Sequence, residues 1–199
     1  VIAPTATSVV AAGAVVLDTA VNADAASTAD GSATGGTAAV GAGVALTLAR
    51  VRNEAVLPAT VLVQAHGITV RARALADGAG DTVSTVRADA KSGAATPPAG
   101  TASVAGSVAI AIADHVTLAE LRGGAQLSGS PLVIDARADL RTAPTALPAG
   151  DGAVGGSVGI GAAVALALVD VATTARIGDG VAVTGAGTIA VTATARSVA

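Results

Sequence analysis

Three stretches of this chain alternate between large and small apolar residues with a period of two, and that pattern restricts the fold more than any other feature. Residues 37–49 read TAAVGAGVALTLA, residues 101–113 read TASVAGSVAIAIA and residues 157–169 read SVGIGAAVALALV. In the last, Val158, Ile160, Val164, Leu166 and Leu168 share one parity while Gly159, Gly161, Ala163, Ala165 and Ala167 take the other. Val40, Val44, Leu46 and Leu48, and Val104, Val108, Ile110 and Ile112, obey the same rule. A two-residue period puts like residues on one face of an extended strand. A helix is disfavoured, because the apolar runs carry internal glycines at about 1 kcal/mol each and many β-branched residues. With one face large and the other small but apolar, the simplest expectation is a strand buried on both faces.

The spacings between these stretches, 64 and then 56 residues, indicate an internal repeat. A second alternating segment follows each: GITVRARA at 67–74, LVIDARAD at 132–139 and TIAVTATA at 188–195. In the first two, Ile68, Val70, Ala72, Ile134, Ala136 and Ala138 alternate with Thr69, Arg71, Arg73, Asp135, Arg137 and Asp139, which predicts one wet face. Breaker-rich runs at 30–36, 95–100 and 145–152 predict loops between units. The expected organisation is a tail of a preceding repeat at 1–36, then repeats at 37–100, 101–150 and 151–199. The fold class expected is all-β: a parallel, β-helix-like β-solenoid of about three stacked units of roughly 60 residues. Antiparallel β-sandwich repeats are the alternative. Such stacks expose unpaired backbone at their ends, so the expected partners are neighbouring repeats or further copies, joined end to end.

Composition narrows function by subtraction. Of 199 residues, 53 are Ala, 28 Val, 25 Gly and 22 Thr, and there is no Cys, Met, Phe, Tyr or Trp. Without Cys there is no thiol nucleophile or disulfide framework. Without aromatics there is no stacking platform for bases and no girdle for a transmembrane barrel. A net charge of −3 argues against a nucleic-acid backbone as partner. The uncharged run at 152–169 is marginal in length for a membrane span, and its sister segments are shorter, so no membrane insertion is expected. The absence of a charged segment ahead of an apolar one leaves no visible signal peptide, and the chain reads as a piece of something longer.

Individual residues offer little chemistry. Gly155-Gly156-Ser157-Val158-Gly159 matches the GxSxG nucleophile pattern, but Thr37 and Thr101 stand where Ser157 does in the other units, and a strand follows instead of a helix. His66, before a strand, and His115, after one, are expected at the surface as isolated residues. Asp77-Gly78-Ala79-Gly80-Asp81 and Gly178-Asp179-Gly180 fit turns better than calcium loops. Arg50, Arg52, Arg71 and Arg73 would form a small positive stripe if their strands were adjacent, offset by ion pairing. Thr188, Thr192 and Thr194 would make a flat threonine array only with matching rows alongside. No catalytic, cofactor-binding or metal residue is assigned.

GIGAAVALALVDVATTARIGDGVAVTGAGTIAVTATA at 159–195, with weaker versions at 41–74 and 105–138, resembles repeats of large bacterial surface and secreted proteins of the filamentous haemagglutinin-like and autotransporter-like adhesin type. The resemblance implies an exported rod at the cell surface, acting as a non-enzymatic stalk or fibre, or as an adhesive module that grips a glycan or a surface protein. The chain departs from that style in having only Asn22 and Asn53, so no asparagine ladder is expected.

Overall fold

The computed structural model describes residues 7–74, 83–154, 158–185 and 187–199. Among them there is no helix. In chain order the strands are β1 (Ser8–Val10), β2 (Ala14–Ala20), β3 (Ala25–Asp30), β4 (Ala33–Thr34), β5 (Ala38–Leu57), β6 (Leu62–Gln64) and β7 (Gly67–Ala74), followed by β8 (Ser84–Ala95), β9 (Ala102–Leu121), β10 (Gln126–Ser128), β11 (Leu132–Val154), β12 (Val158–Ile177), β13 (Ala182–Thr184) and β14 (Ile189–Val198). They form three sheets. The aliphatic sheet has the order β12-β9-β5; a short sheet has the order β1-β6-β10-β13; the charged sheet runs β2-β7-β11-β8-β3, with β14 beside β11 and β4 beside β8. Every described ladder is parallel. The expected all-β class holds, and antiparallel pairing does not.

The register joins the segments that look alike in sequence. Val40 pairs with Val104 and Val104 with Ile160, and the pairing continues unbroken to Leu57, Leu121 and Ile177. Ile68, Leu132 and Ile189 form a corresponding row in the charged sheet. Turns between the aliphatic and short sheets stack as well: Thr60 N–H donates to Gly123 O at 3.3 Å, and Gly124 N–H to Asp179 O at 3.1 Å. Thr60, Gly124 and Gly180 all take a left-handed φ there, of 58°, 76° and 69°.

The core lies between the aliphatic and charged sheets and tapers away from the short sheet. Beside the short sheet it is filled by Leu57, Val63, Ile68, Leu121, Leu127 and Ile134. Farther out it is mostly alanine, with Ala45, Ala88, Ala90, Ala109 and Ala111. At the thin end only Ala39, Ala94 and Ala105 remain. There the two backbones nearly touch: a Cβ on Gly41 would collide with the carbonyl of Gly93, and one on Gly43 with that of Lys91. Hydroxyls cross the gap directly, Thr47 Oγ1 donating to Arg87 O at 2.6 Å and Ser107 Oγ to Leu147 O at 3.3 Å.

Two expectations are corrected here. The alternating strands are not buried on both faces. Their small residues point inward, because only they fit the thin gap, while Val40, Val44, Leu46 and Leu48 stand 58 to 70% exposed. Nor is 145–152 a loop, since β11 runs through Pro144 and Pro148 to Val154. Pairing with β14 ends at Arg141, so both prolines lie where β11 has β8 alone as its described partner. Proline lacks the ladder N–H and is tolerated where one edge of a strand is open. For 67–74 and 132–139, Ile68, Val70, Ile134 and Ala136 lie inside and Thr69, Arg71, Arg73, Arg137 and Asp139 reach solvent, as expected, whereas Asp135 on that outer face is buried.

Candidate interaction surface

The outward side chains of the aliphatic sheet line up in rows because the register is exact over twenty residues. Val40, Val104 and Ile160 make one row; Val44, Val108 and Val164 another; then Leu46, Ile110 and Leu166, and Leu48, Ile112 and Leu168. On β12 the corresponding residues Ile160, Val164, Leu166 and Leu168 are 43 to 57% exposed. Contiguous apolar surface of this extent marks contact sites in water-soluble proteins. The next row, Arg50, Asp114 and Asp170, ends the patch abruptly. Arg50 Nε lies 3.2 Å from Asp114.

The outer face of the charged sheet is different in kind. Asp18, Arg71, Asp135 and Thr192 share one row. Arg71 lies 3.7 Å from Asp18 and 3.6 Å from Asp135, Arg73 reaches Asp18 at 2.9 Å, and Arg137 reaches Asp135 at 2.9 Å. On the aliphatic sheet, Glu120 of β9 likewise holds Arg176 of β12 at 2.7 Å. All of these pairs bridge adjacent strands except Arg137–Asp135, which lies within β11. The four arginines make no stripe: Arg50 and Arg52 lie on the aliphatic sheet and Arg71 and Arg73 on the charged one, each beside a carboxylate. The threonine array is likewise broken, because Thr192 faces Asp135 and Thr194 faces Arg137.

His66 is exposed in the turn before β7. His115 is a correction: it lies within β9, 1% exposed, in an inward row between Val51 and Val171. Its parity is odd, like that of the small inward residues, which is the signal that placed it. Its Nε2 is buried without a hydrogen-bond partner. Desolvation holds its pKa below the ordinary 6.5, against the raising pull of Asp114. Asp77 to Asp81 and Ser157 lie outside the described residues, whereas Gly178-Asp179-Gly180 is the stacked turn described above. Among the described residues no group of three or more His, Cys, Asp or Glu is placed to hold a metal ion, and no helix is long and apolar enough to cross a membrane. An open cleft of about 370 Å³ lies at the thin end, and its described lining, Ser92, Ala105, Pro148, Ala153, Gly161, Ala162 and Ala163, carries no titratable side chain. The arrangement presents an apolar face on one sheet and ion-paired rows on another. Comparison with protein-family models, with curated proteins and with solved structures finds no match for this chain.

Proposed function

We propose that this chain is a stretch of β-solenoid rod, a non-enzymatic structural module of an extracellular fibre or cell-surface adhesin, built from stacked units at 37–100, 101–150 and 151–199. One observation carries the reading: β5, β9 and β12 pair in parallel and in register over twenty residues. A chain wound so that equivalent residues stack at about 4.8 Å adds length without new design, because each layer offers the next the same backbone donors and acceptors. The stacked turns and the ion pairs between neighbouring strands support a stiff rod. The outermost strands, β5 and β12 in the aliphatic sheet, leave one edge free among the described residues, and end-to-end joining satisfies those edges. A glycan-binding role would call for a matched, solvent-exposed polar row; the outer row Asp18, Arg71, Asp135 and Thr192 instead alternates in charge, with Asp135 buried between its arginine neighbours.

The test is fibre diffraction from aligned, concentrated protein. A sharp reflection near 4.8 Å along the long axis is the expected result. Its absence, together with a globular hydrodynamic shape at every concentration, overturns the rod.

A further inference from the structure

We propose that the outer face of the aliphatic sheet is a docking surface for a second copy of this chain, packed face to face with its strands parallel and their order reversed. A two-fold axis parallel to the strands keeps every row and exchanges the outer strands, so that β5 of one copy covers β12 of the other and β9 covers β9. Each aliphatic row then meets itself: Val40 faces Ile160, Val44 faces Val164, Leu46 faces Leu166 and Leu48 faces Leu168. Aligned sheets pack in this way at about 10 Å, with side chains of this size interleaved.

Two features favour a second copy over any other occupant. The first is charge. In the row that bounds the patch, the same rotation sets Arg50 over Asp170 of the second copy, twice per pair of molecules. On the axis the Asp114 side chains of the two copies face each other, an unfavourable contact that each copy's own Arg50, 3.2 Å from its Asp114, offsets. A two-fold interface must be self-complementary, and this row is so at its outer positions. The second is area. Three strands of twenty residues cover about 66 by 14 Å, roughly 900 Å² per copy, against about 800 Å² per partner in a stable complex. The apolar rows supply a dry part and the charged rows a polar rim, the anatomy expected of an interface. This lateral contact is separate from end-to-end joining, since it uses side chains of a sheet face and not the backbone of its edges.

The test is sedimentation velocity on the whole chain, read by interference because no aromatic residue absorbs, with circular dichroism to check the fold. The wild type is expected to form a closed dimer. Arg50→Asp sets Asp over Asp and Asp170→Arg sets Arg over Arg, so each variant alone weakens dimerisation at least about tenfold, like charges at an interface being strongly unfavourable. Mixed in equal amounts, the two variants restore it, because both contacts then pair opposite charges. Leu166→Lys, at an exposed position, abolishes the dimer without changing the dichroism spectrum. A wild-type chain that stays monomeric to about 100 μM, well above the dissociation constants of specific complexes, overturns the proposal. So do single variants that dimerise like wild type, or a mixture that does not recover. An open ladder of masses indifferent to both charge changes assigns association to the strand ends alone and also overturns it. Binding to neutral phosphatidylcholine vesicles without self-association assigns the face to lipid and does the same. A closed, charge-sensitive dimer without a 4.8 Å fibre reflection leaves this inference standing while the rod falls.

Discussion

Adding one methyl group at the thin end of the core tests whether the two sheets really meet there. A Cβ on residue 41 would lie 2.5 Å from the carbonyl oxygen of Gly31 and 2.9 Å from the carbonyl carbon of Gly93, and closer still to the Gly93 oxygen. Backbone cannot swing aside as a side chain can, so the sheets must part by about 1 Å, a gap that forfeits a quarter to a half of each facing dispersion contact. Overpacking of this kind costs about 3 kcal/mol, at the upper end of its usual range. Gly106, on β9, is the internal control. A Cβ there meets nothing within 4 Å, and its row neighbours are Ala42 and Ala162. Gly106→Ala should therefore stabilise by about 0.5 to 1 kcal/mol, the usual cost of glycine inside a strand. Thermal unfolding followed by circular dichroism reads both. For a chain of this size about 1 kcal/mol moves Tm by 2–4 °C, so Gly41→Ala is expected to lower Tm by about 6–12 °C and Gly106→Ala to raise it by a few degrees. Equal Tm values for the two variants would refute the close approach of the sheets, and with it the inward orientation of the small residues.

His115 gives the fold a pH dependence of known sign. Its pKa is lowered in the folded chain, so its neutral form is matched in the folded and unfolded states above the ordinary 6.5, and its stability contribution is complete there. As pH falls below that value the unfolded chain takes a proton that the folded chain refuses, and stability declines. His115→Val matches the flanking Val51 and Val171, removes the unpartnered Nε2 and should raise stability at pH 7 by about 1 kcal/mol. It should also flatten the fall in Tm between pH 7 and 5, and an unchanged slope would contradict the burial of His115. Thr60 holds a φ of 58° where the stacked positions are Gly124 and Gly180. A β-branched residue is strained in that region, so Thr60→Gly should stabilise by about 1 kcal/mol. A lower urea midpoint for the variant would remove the strain argument.

Period, strand direction and orientation were legible in the sequence to different degrees. The two-residue period was plain, because Val40, Leu46 and Leu48, and their counterparts near 104 and 160, repeat it without error. Pairing between similar segments followed from their spacing, whereas parallel direction did not, since either direction preserves parity. Orientation was not legible: both faces of β5 and β9 read as buried, whereas their large residues stand outward. Size suggests that large residues point inward, but gap width decides, and the gap is set by geometry remote from those residues. The three-residue strands of the short sheet hold the layers apart for Leu57, Leu121 and Ile134, whereas among the described residues no such sheet stands near Ala39 and Ala105.

A signal for the orientation lies farther along the same strands. β5 does not stop at Ala49; it continues to Leu57, and on the same parity as Leu46 and Leu48 it carries Arg50, Arg52 and Glu54. β9 carries Asp114 in phase with Ile110 and Ile112, and β12 carries Asp170 in phase with Leu166 and Leu168. Unpaired charges are almost never fully buried, so a strand long enough to include them must turn that whole face to solvent, aliphatics included. The other parity, free of charge from Ala39 to Leu57 and interrupted only by Thr47 and Asn53, is then the core by elimination. The consequence is energetic as well as geometric. Burying alanine and glycine removes little apolar area, so the thin end depends on backbone ladders and on hydroxyls such as Thr47 that reach across to the opposing main chain. The side chains that would each contribute about 1.5–3 kcal/mol on burial, Val44, Leu46, Leu48 and their row mates, stay outside in a single copy. That contribution becomes available only when the face is covered, which makes the stability of the thin end a function of assembly: the dimer should unfold at higher temperature as protein concentration rises, and a variant confined to the monomer should not.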